Sequence, residues 1–429
     1  VTTANPQSSA APSDVAQIGR WVDEAVQSTP VYDLHTHIYP PSFGPLMLWG
    51  IDELITYHYL IAETIRSSDV GYDRYWAMSQ KEQADLIWKT LFLEHAPLSE
   101  ACRGVITVLR KMGLDLSKRD LDSYRSFFRA QKPAEYVDKC FKLANVHTVV
   151  MTNDAFDPVE RDLWLKGAGK DRDPRFKAVL RIDPLLIGWP KVADQLSAQG
   201  YKAGADLGEA SMREVRRFLN EWIDRMGAVY VAVSLEPSWR YPDDSATSRV
   251  IDQAIVPVCR ERNLPFAVMV GVQRQVNPRL KLAGDSVGKA DIRAVDRLAG
   301  LNPHNKFLCT MLSRENQHEL AVTARKHRNL MIFGCWWFMN NPVIIEEITR
   351  MRMELLGPTF VPQHSDARIL DQVVYKWDHS RQVIAKVLRD KFADLSNAGW
   401  KVTQDEVKQA ARELLSGNFE KFLASTPSV

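Results

Sequence analysis

Short apolar runs recur along the whole chain, nearly every one followed by a stretch with helical spacing, and no other feature narrows the fold as far. Eight runs read as strands: VYDLH (31–35), HTVVM (147–151), KAVLR (177–181), VYVAV (229–233), PFAVMV (265–270), KFLC (306–309), LMIFG (330–334) and TFVPQ (359–363). They are short, β-branched and mostly apolar on both faces, as buried parallel strands are. SMREVRRFLNEWIDRM (211–226) and NPVIIEEITRMRMELLG (341–357) place apolar residues every three or four positions, and the second ends on glycine. Eight β-then-α units predict an α/β fold, a (β/α)8 TIM-type barrel. No internal sequence repeat accompanies them.

One interval breaks the rhythm. About a hundred residues separate the first strand from the second, and they hold helical patterns such as KEQADLIWKTLFLEH (81–95) and SKRDLDSYRSFFRA (117–130). A structureless loop of that length is uncommon in a compact domain. Residues 41–145 therefore read as a helical insertion after strand 1, capping the barrel at its C-terminal face. The domain assignment is a polar, disordered leader over 1–15 and a barrel over 16–429, with residues 365–425 helical and closing the outer ring.

Composition excludes more than it identifies. The 55 basic and 53 acidic residues leave a net charge of +2, so neither a nucleic-acid nor a membrane surface is expected. The five cysteines are scattered without a C-x-x-C pair, which argues against a disulfide framework and for a reducing, cytoplasmic compartment. A homo-oligomer is compatible with everything above.

The chemistry gathers at strand ends. Residues i and i+2 of a strand point the same way, so His35 and His37 can offer two imidazoles to one ion. Neutral nitrogen ligands suit zinc or a similar divalent metal, although an H-x-H pair also arises by chance. Their place at the C-terminal end of a barrel strand favours the metal. Just past the last strand, in QHSDAR, Asp366 can ligate the same ion or act as a base, with Arg368 two residues on. The plain alternative is a solvated Asp–Arg turn. His364, two residues before Asp366, is a further candidate ligand. His58 and Tyr59 form the next pair, or an ordinary half-buried His beside a core Tyr. Arg181, ending the third strand, can clamp a carboxylate through its planar fork or simply pair with Asp183. Trp336 and Trp337 can wall a sugar pocket or belong to the core.

In this order, the motifs resemble the uronate (glucuronate) isomerase family of the amidohydrolase superfamily, along nearly the whole chain. DLHTH (33–37) resembles its first-strand metal motif, and YHYLIAETIR (57–66) its His-Tyr element. NVHTVVMTNDAFDP, VLRIDP, GVQRQVNPR, FGCWWFMN and HSDAR are similar to later segments. The resemblance implies a barrel binding one divalent metal, usually zinc, and aldose–ketose isomerisation of hexuronates such as D-glucuronate to D-fructuronate. It implies His35, His37 and Asp366 as metal ligands. His58, Tyr59, Arg181, Trp337 and Arg368 would contact substrate or move protons. Two departures mark the chain as a divergent member. Met269 stands where the family has a fifth-strand His, and a thioether cannot replace an imidazole. Glu236 stands where the family has the His of its S-D-H segment, giving the substrate a carboxylate instead.

The expected function is a metal-dependent isomerase moving a proton between C2 and C1 of a sugar acid. Asp366 would be the base, Tyr59 and Arg368 would manage the oxygens, and Arg181 would hold the carboxylate. The main rival is a metal-dependent hydrolase or lactonase with the ion activating water. No Lys or His at the fourth to sixth strand ends is available for a second metal, which weighs against it. A non-catalytic sugar-acid binder is the second rival.

Overall fold

A computed structural model describes residues 12–189 and 191–427. Seven parallel strands follow one another around a single sheet: β1 (Val31–Thr36), β2 (Val146–Asp154), β3 (Phe176–Arg181), β4 (Ala228–Leu235), β5 (Phe266–Val270), β6 (Phe307–Met311) and β7 (Leu330–Ile332). Their order in the sheet is their order in the chain, with registers such as Val231↔Phe266, Phe266↔Phe307 and Phe307↔Leu330. The sheet curls into an α/β barrel of the TIM type with helices around it.

Two apolar layers arise from strand alternation. Leu34, Val150, Val179, Tyr230, Ala232, Ala267, Met269 and Leu308 pack together inside the barrel. Their neighbours Val149, Ala178, Leu180, Val231, Val233, Phe266 and Val268 join the core beneath the helices. The long helix over Glu209–Met226 shows how that outer layer is sealed. Val215, Phe218, Leu219, Trp222, Ile223 and Met226 are buried at three- and four-residue spacing, and Gly227 ends the helix at φ 58°. Each such side chain stabilises the fold by about 1.5–3 kcal/mol.

The eighth expected strand, 359–363, is a correction. It makes one bridge, Phe333↔Val361, rather than a ladder. Pro362 has no N–H to continue the pairing. The segment nevertheless closes the barrel. Val361 N–H donates to Ile332 and Gly334 N–H to Val361, while His37 N–H donates to Ala367 (2.7 Å) and Asp366 N–H to His35 (3.2 Å). Buried Asp33 tightens the closure: it accepts from the Ser365 N–H (3.0 Å) and from the Trp377 indole (2.8 Å).

Between β1 and β2 the chain is largely helical, including His58–Ser67, Tyr72–Ala77, Gln80–Trp88, Glu100–Lys111 and Leu121–Arg129. Ser79 and Glu82 cap the third of these reciprocally, and Ser99 and Asp120 cap the last two. Buried Asp371 ties this segment to the barrel, accepting from the Gly50 N–H (2.8 Å) and from the Tyr136 hydroxyl. Most of the expected leader, residues 1–11, lies outside the described residues, whereas Pro12–Ser28 forms a helix. The 365–425 stretch is helical from Gln372 onward, in Gln372–Asn397, Gln404–Arg412 and Asn418–Ala424. All five cysteines are free and buried. Among the described residues, no helix is long and apolar enough to cross a membrane.

Candidate metal centre and active site

Backbone pairing between β1 and the closing segment brings three ligating side chains together. His35 is the penultimate residue of β1, His37 follows directly after the strand ends at Thr36, and Asp366 is bonded back onto His35 through its own N–H. Asp366 adopts φ 53°, a left-handed conformation that costs a non-glycine residue about 1–2 kcal/mol. Its own bond to His35 and the adjoining one from His37 to Ala367 hold it there, and such strain concentrates at functional sites.

The Asp366 Oδ1 lies 3.7 Å from His35 Nε2 and 3.4 Å from His37 Nε2. One ligand atom from each residue falls within 4.8 Å of the others. Ligand atoms about 2.0–2.2 Å from a tetrahedral divalent ion stand about 3.3 Å apart, so this spacing fits such a ion better than direct hydrogen bonds. Asp366 Oδ1 is buried without a hydrogen-bond partner among the described residues. Burial lowers the pKa of His35 to about 3 and of His37 well below its usual value, keeping both rings neutral with a lone pair to give. Burial raises that of Asp366, opposed by the nearby His35, Lys376, Arg368 and Arg181. The residues thus fit one divalent metal.

His364, the further candidate ligand, is not in this group among the described residues. Its ring is fully buried behind His35 (5.2 Å between centroids) and against Phe333 (5.4 Å), with neither nitrogen hydrogen-bonded. The missing side chain of Gly334 makes room for it.

A cavity of about 210 Å³ opens beside the three ligands, at the C-terminal face of the barrel. Three guanidinium groups reach it. Arg181 pairs with Asp183, whose other oxygen accepts from the Ser234 N–H (2.5 Å). Arg274, on the loop after β5, bonds Asp285 (2.7 Å) and stands 5.8 Å from the Trp337 ring centre. Arg368 pairs with no carboxylate among the described residues; its backbone N–H donates to the Gln372 side-chain oxygen (2.9 Å). Trp337, at φ 49°, stacks on Phe338 and faces His58 (5.7 Å). The Trp337 Nε1 and His58 Nε2 are both buried without partners among the described residues, placed to meet a polar ligand. Burial, helped by Arg368, lowers the His58 pKa to about 3. Met269, the noted departure from the resemblance, lines the wall with a thioether.

Two expected contacts lie elsewhere. Glu236 is exposed and does not line the cavity, because β4 ends at Leu235 and the chain turns, Trp239 N–H bonding back to Glu236. Tyr59 packs on Tyr57 (5.1 Å) and Phe338 (6.3 Å), and it is Tyr57 that lines the wall. Burial raises both phenol pKa values, with Asp366 adding to the effect, so both hydroxyls stay protonated. Sequence reasoning did not single out Tyr57, Arg274 or Tyr230. The first two sit inside motifs that carried the resemblance. Tyr230, whose hydroxyl reaches His35 Nδ1 (3.2 Å) and Leu34 O (2.7 Å), has no signal beyond being aromatic in an apolar strand.

No protein-family model matches the chain, and no curated protein sequence matches it. Among solved structures, it is 52% identical to a uronate isomerase from Bacillus halodurans C-125, over 96% of this chain and 97% of that one, with a TM-score of 0.94. A uronate isomerase from Thermotoga maritima shares the fold at 15% identity, covering 95% and 97% of the two chains, TM-score 0.77. So does a glucuronate isomerase from Caulobacter crescentus, at 15% identity, 100% and 98% coverage, TM-score 0.76.

Proposed function

The chain belongs to the uronate isomerase family, and from that membership we propose that it interconverts an aldohexuronate and its ketose, in the manner of D-glucuronate and D-fructuronate. The observation that carries this is 52% identity to a uronate isomerase along almost the whole of both chains. The cavity supports it, combining one compact ligand triad with three guanidinium groups suited to an acidic sugar.

His35, His37 and Asp366 would hold the divalent ion, and their two nitrogens and one carboxylate suit zinc. When bound, it supplies a positive charge that offsets developing negative charge on the substrate oxygens. The remaining work belongs to side chains. Asp366 takes the proton from C2 and returns it to C1. Arg368, without a carboxylate partner among the described residues, balances the enediolate charge. Arg181 and Arg274, each already aligned by an acid, receive the sugar carboxylate. The protonated phenol of Tyr57, which lines the cavity, supplies and recovers the proton on the substrate oxygens. His58, neutral, and the Trp337 indole hydrogen-bond the hydroxyls. The five free cysteines suit a reducing cytoplasm.

The test is turnover. Zinc-loaded protein is incubated with a panel of aldohexuronates, and ketose formation is followed beside hydrolysis of sugar lactones. Ketose from at least one aldohexuronate, without lactone opening, is expected. Lactone hydrolysis with no ketose from any aldohexuronate would overturn the assignment.

A further inference from the structure

We propose that Tyr230 is a positioning residue for the metal centre: its hydroxyl fixes the tautomer of His35 so that Nε2 presents a bare lone pair to the ion. The proposal rests on the metal reading above and deepens it.

A phenol has one hydrogen to give. The Tyr230 oxygen has two close partners, the Leu34 carbonyl at 2.7 Å and His35 Nδ1 at 3.2 Å. A carbonyl can only accept, and it is the nearer of the two, so the phenol hydrogen points to Leu34. The lone pairs of the phenol then face Nδ1, and only a ring carrying its hydrogen on Nδ1 bonds there. The far side of the ring agrees. A hydrogen on Nε2 would meet Asp366 Oδ1 at 3.7 Å, too far for a hydrogen bond. With the hydrogen on Nδ1, Nε2 is left as the metal-binding atom.

Position makes the contact hard to replace. Tyr230 is the third residue of β4 and reaches across the barrel interior to β1. It is fully buried, and His35 is 2% exposed. Leu34, Val150, Val179, Ala232 and Ala267 share that interior and offer no side-chain hydrogen-bond partner to Nδ1. Losing such an outer partner of a metal-binding histidine typically weakens metal binding by about 10–100-fold.

The experiment uses the full chain in two arms. In the first, metal-free wild-type protein carrying ¹⁵N-histidine is read by NMR for the His35 tautomer. Hydrogen on Nδ1 is expected; hydrogen on Nε2 would overturn the proposal whether or not any variant folds. In the second, zinc affinity is measured by chelator competition for wild type and Tyr230→Phe, whose folding is checked by thermal melting. A loss of affinity of about 10–100-fold is expected, with kcat at saturating zinc held within about threefold. Affinity within twofold of wild type would overturn it. If wild type itself takes up no zinc, the metal reading fails, while the tautomer arm still decides the role of Tyr230.

Discussion

Gly334→Ala is a small change with a large expected effect. Gly334 adopts φ +66°, where a Cβ costs about 1–2 kcal/mol. That Cβ would lie 1.9 Å from His364 Nδ1 and 2.4 Å from its Cε1. The backbone cannot step aside easily, because Gly334 N–H donates to Val361 O (2.8 Å) and Gly334 O accepts from buried Arg352 (2.8 Å). Nor can the ring, which is fully buried between His35 and Phe333. Overpacking of this kind costs about 1–3 kcal/mol, so the sum is about 2–5 kcal/mol. That is a sizeable part of the 5–15 kcal/mol typical of folded domains. Urea unfolding at pH 7 reads it as a lowered midpoint with an unchanged slope. His364 is two residues from Asp366, so zinc affinity should fall as well. Adding His364→Ala to Gly334→Ala should remove the overlap, making the cost of Gly334→Ala smaller in that background than alone. Stability of Gly334→Ala within about 0.5 kcal/mol of wild type would refute the reasoning, that being the ordinary spread for a harmless substitution.

Two further outcomes are expected. The unfolded His58 ring takes a proton below about 6.5, whereas the folded ring resists it down to about 3. Stability from this residue is therefore complete above pH 6.5 and drains away as the pH falls towards 3. Between pH 7 and pH 4 wild type should lose about 3 kcal/mol more than His58→Gln, as measured by urea titrations at the two pH values. Arg368→Met removes the guanidinium that pairs with no acid in the cavity. A charged hydrogen bond is worth about 1.5–3 kcal/mol, so kcat/KM for a hexuronate should fall about 10–100-fold in steady-state assays.

Much of the barrel is written in the sequence because its strands are buried on both faces. FAVMV is apolar throughout and FLCTM is apolar but for Thr310, and no periodic helix competes with them. The eighth expected strand, TFVPQ, has an apolar centre of the same kind, but Pro362 limits it to a single bridge. The triad was legible as well, since a two-residue repeat at a strand end and an acid after the last strand meet wherever a barrel closes. What depended on the path of the backbone was not. Glu236 has the spacing to face inward with Ser234, but the strand stops at Leu235 and the turn carries it to the surface. His364 shares its spacing with Asp366, yet the slot over Gly334 draws its ring behind His35. Tyr57, Arg274 and Tyr230 are placed by tertiary packing, which no local pattern encodes.

Isomerisation by proton transfer is tested most directly in deuterated water. Zinc-loaded protein acting on D-glucuronate should yield D-fructuronate with deuterium entering at C1, to an extent set by exchange at Asp366 before the proton is returned. Asp366→Asn should give neither product nor label. Ketose formed at the wild-type rate by Asp366→Asn, or no ketose from the zinc-loaded wild type, would contradict a proton-transfer centre built on His35, His37 and Asp366.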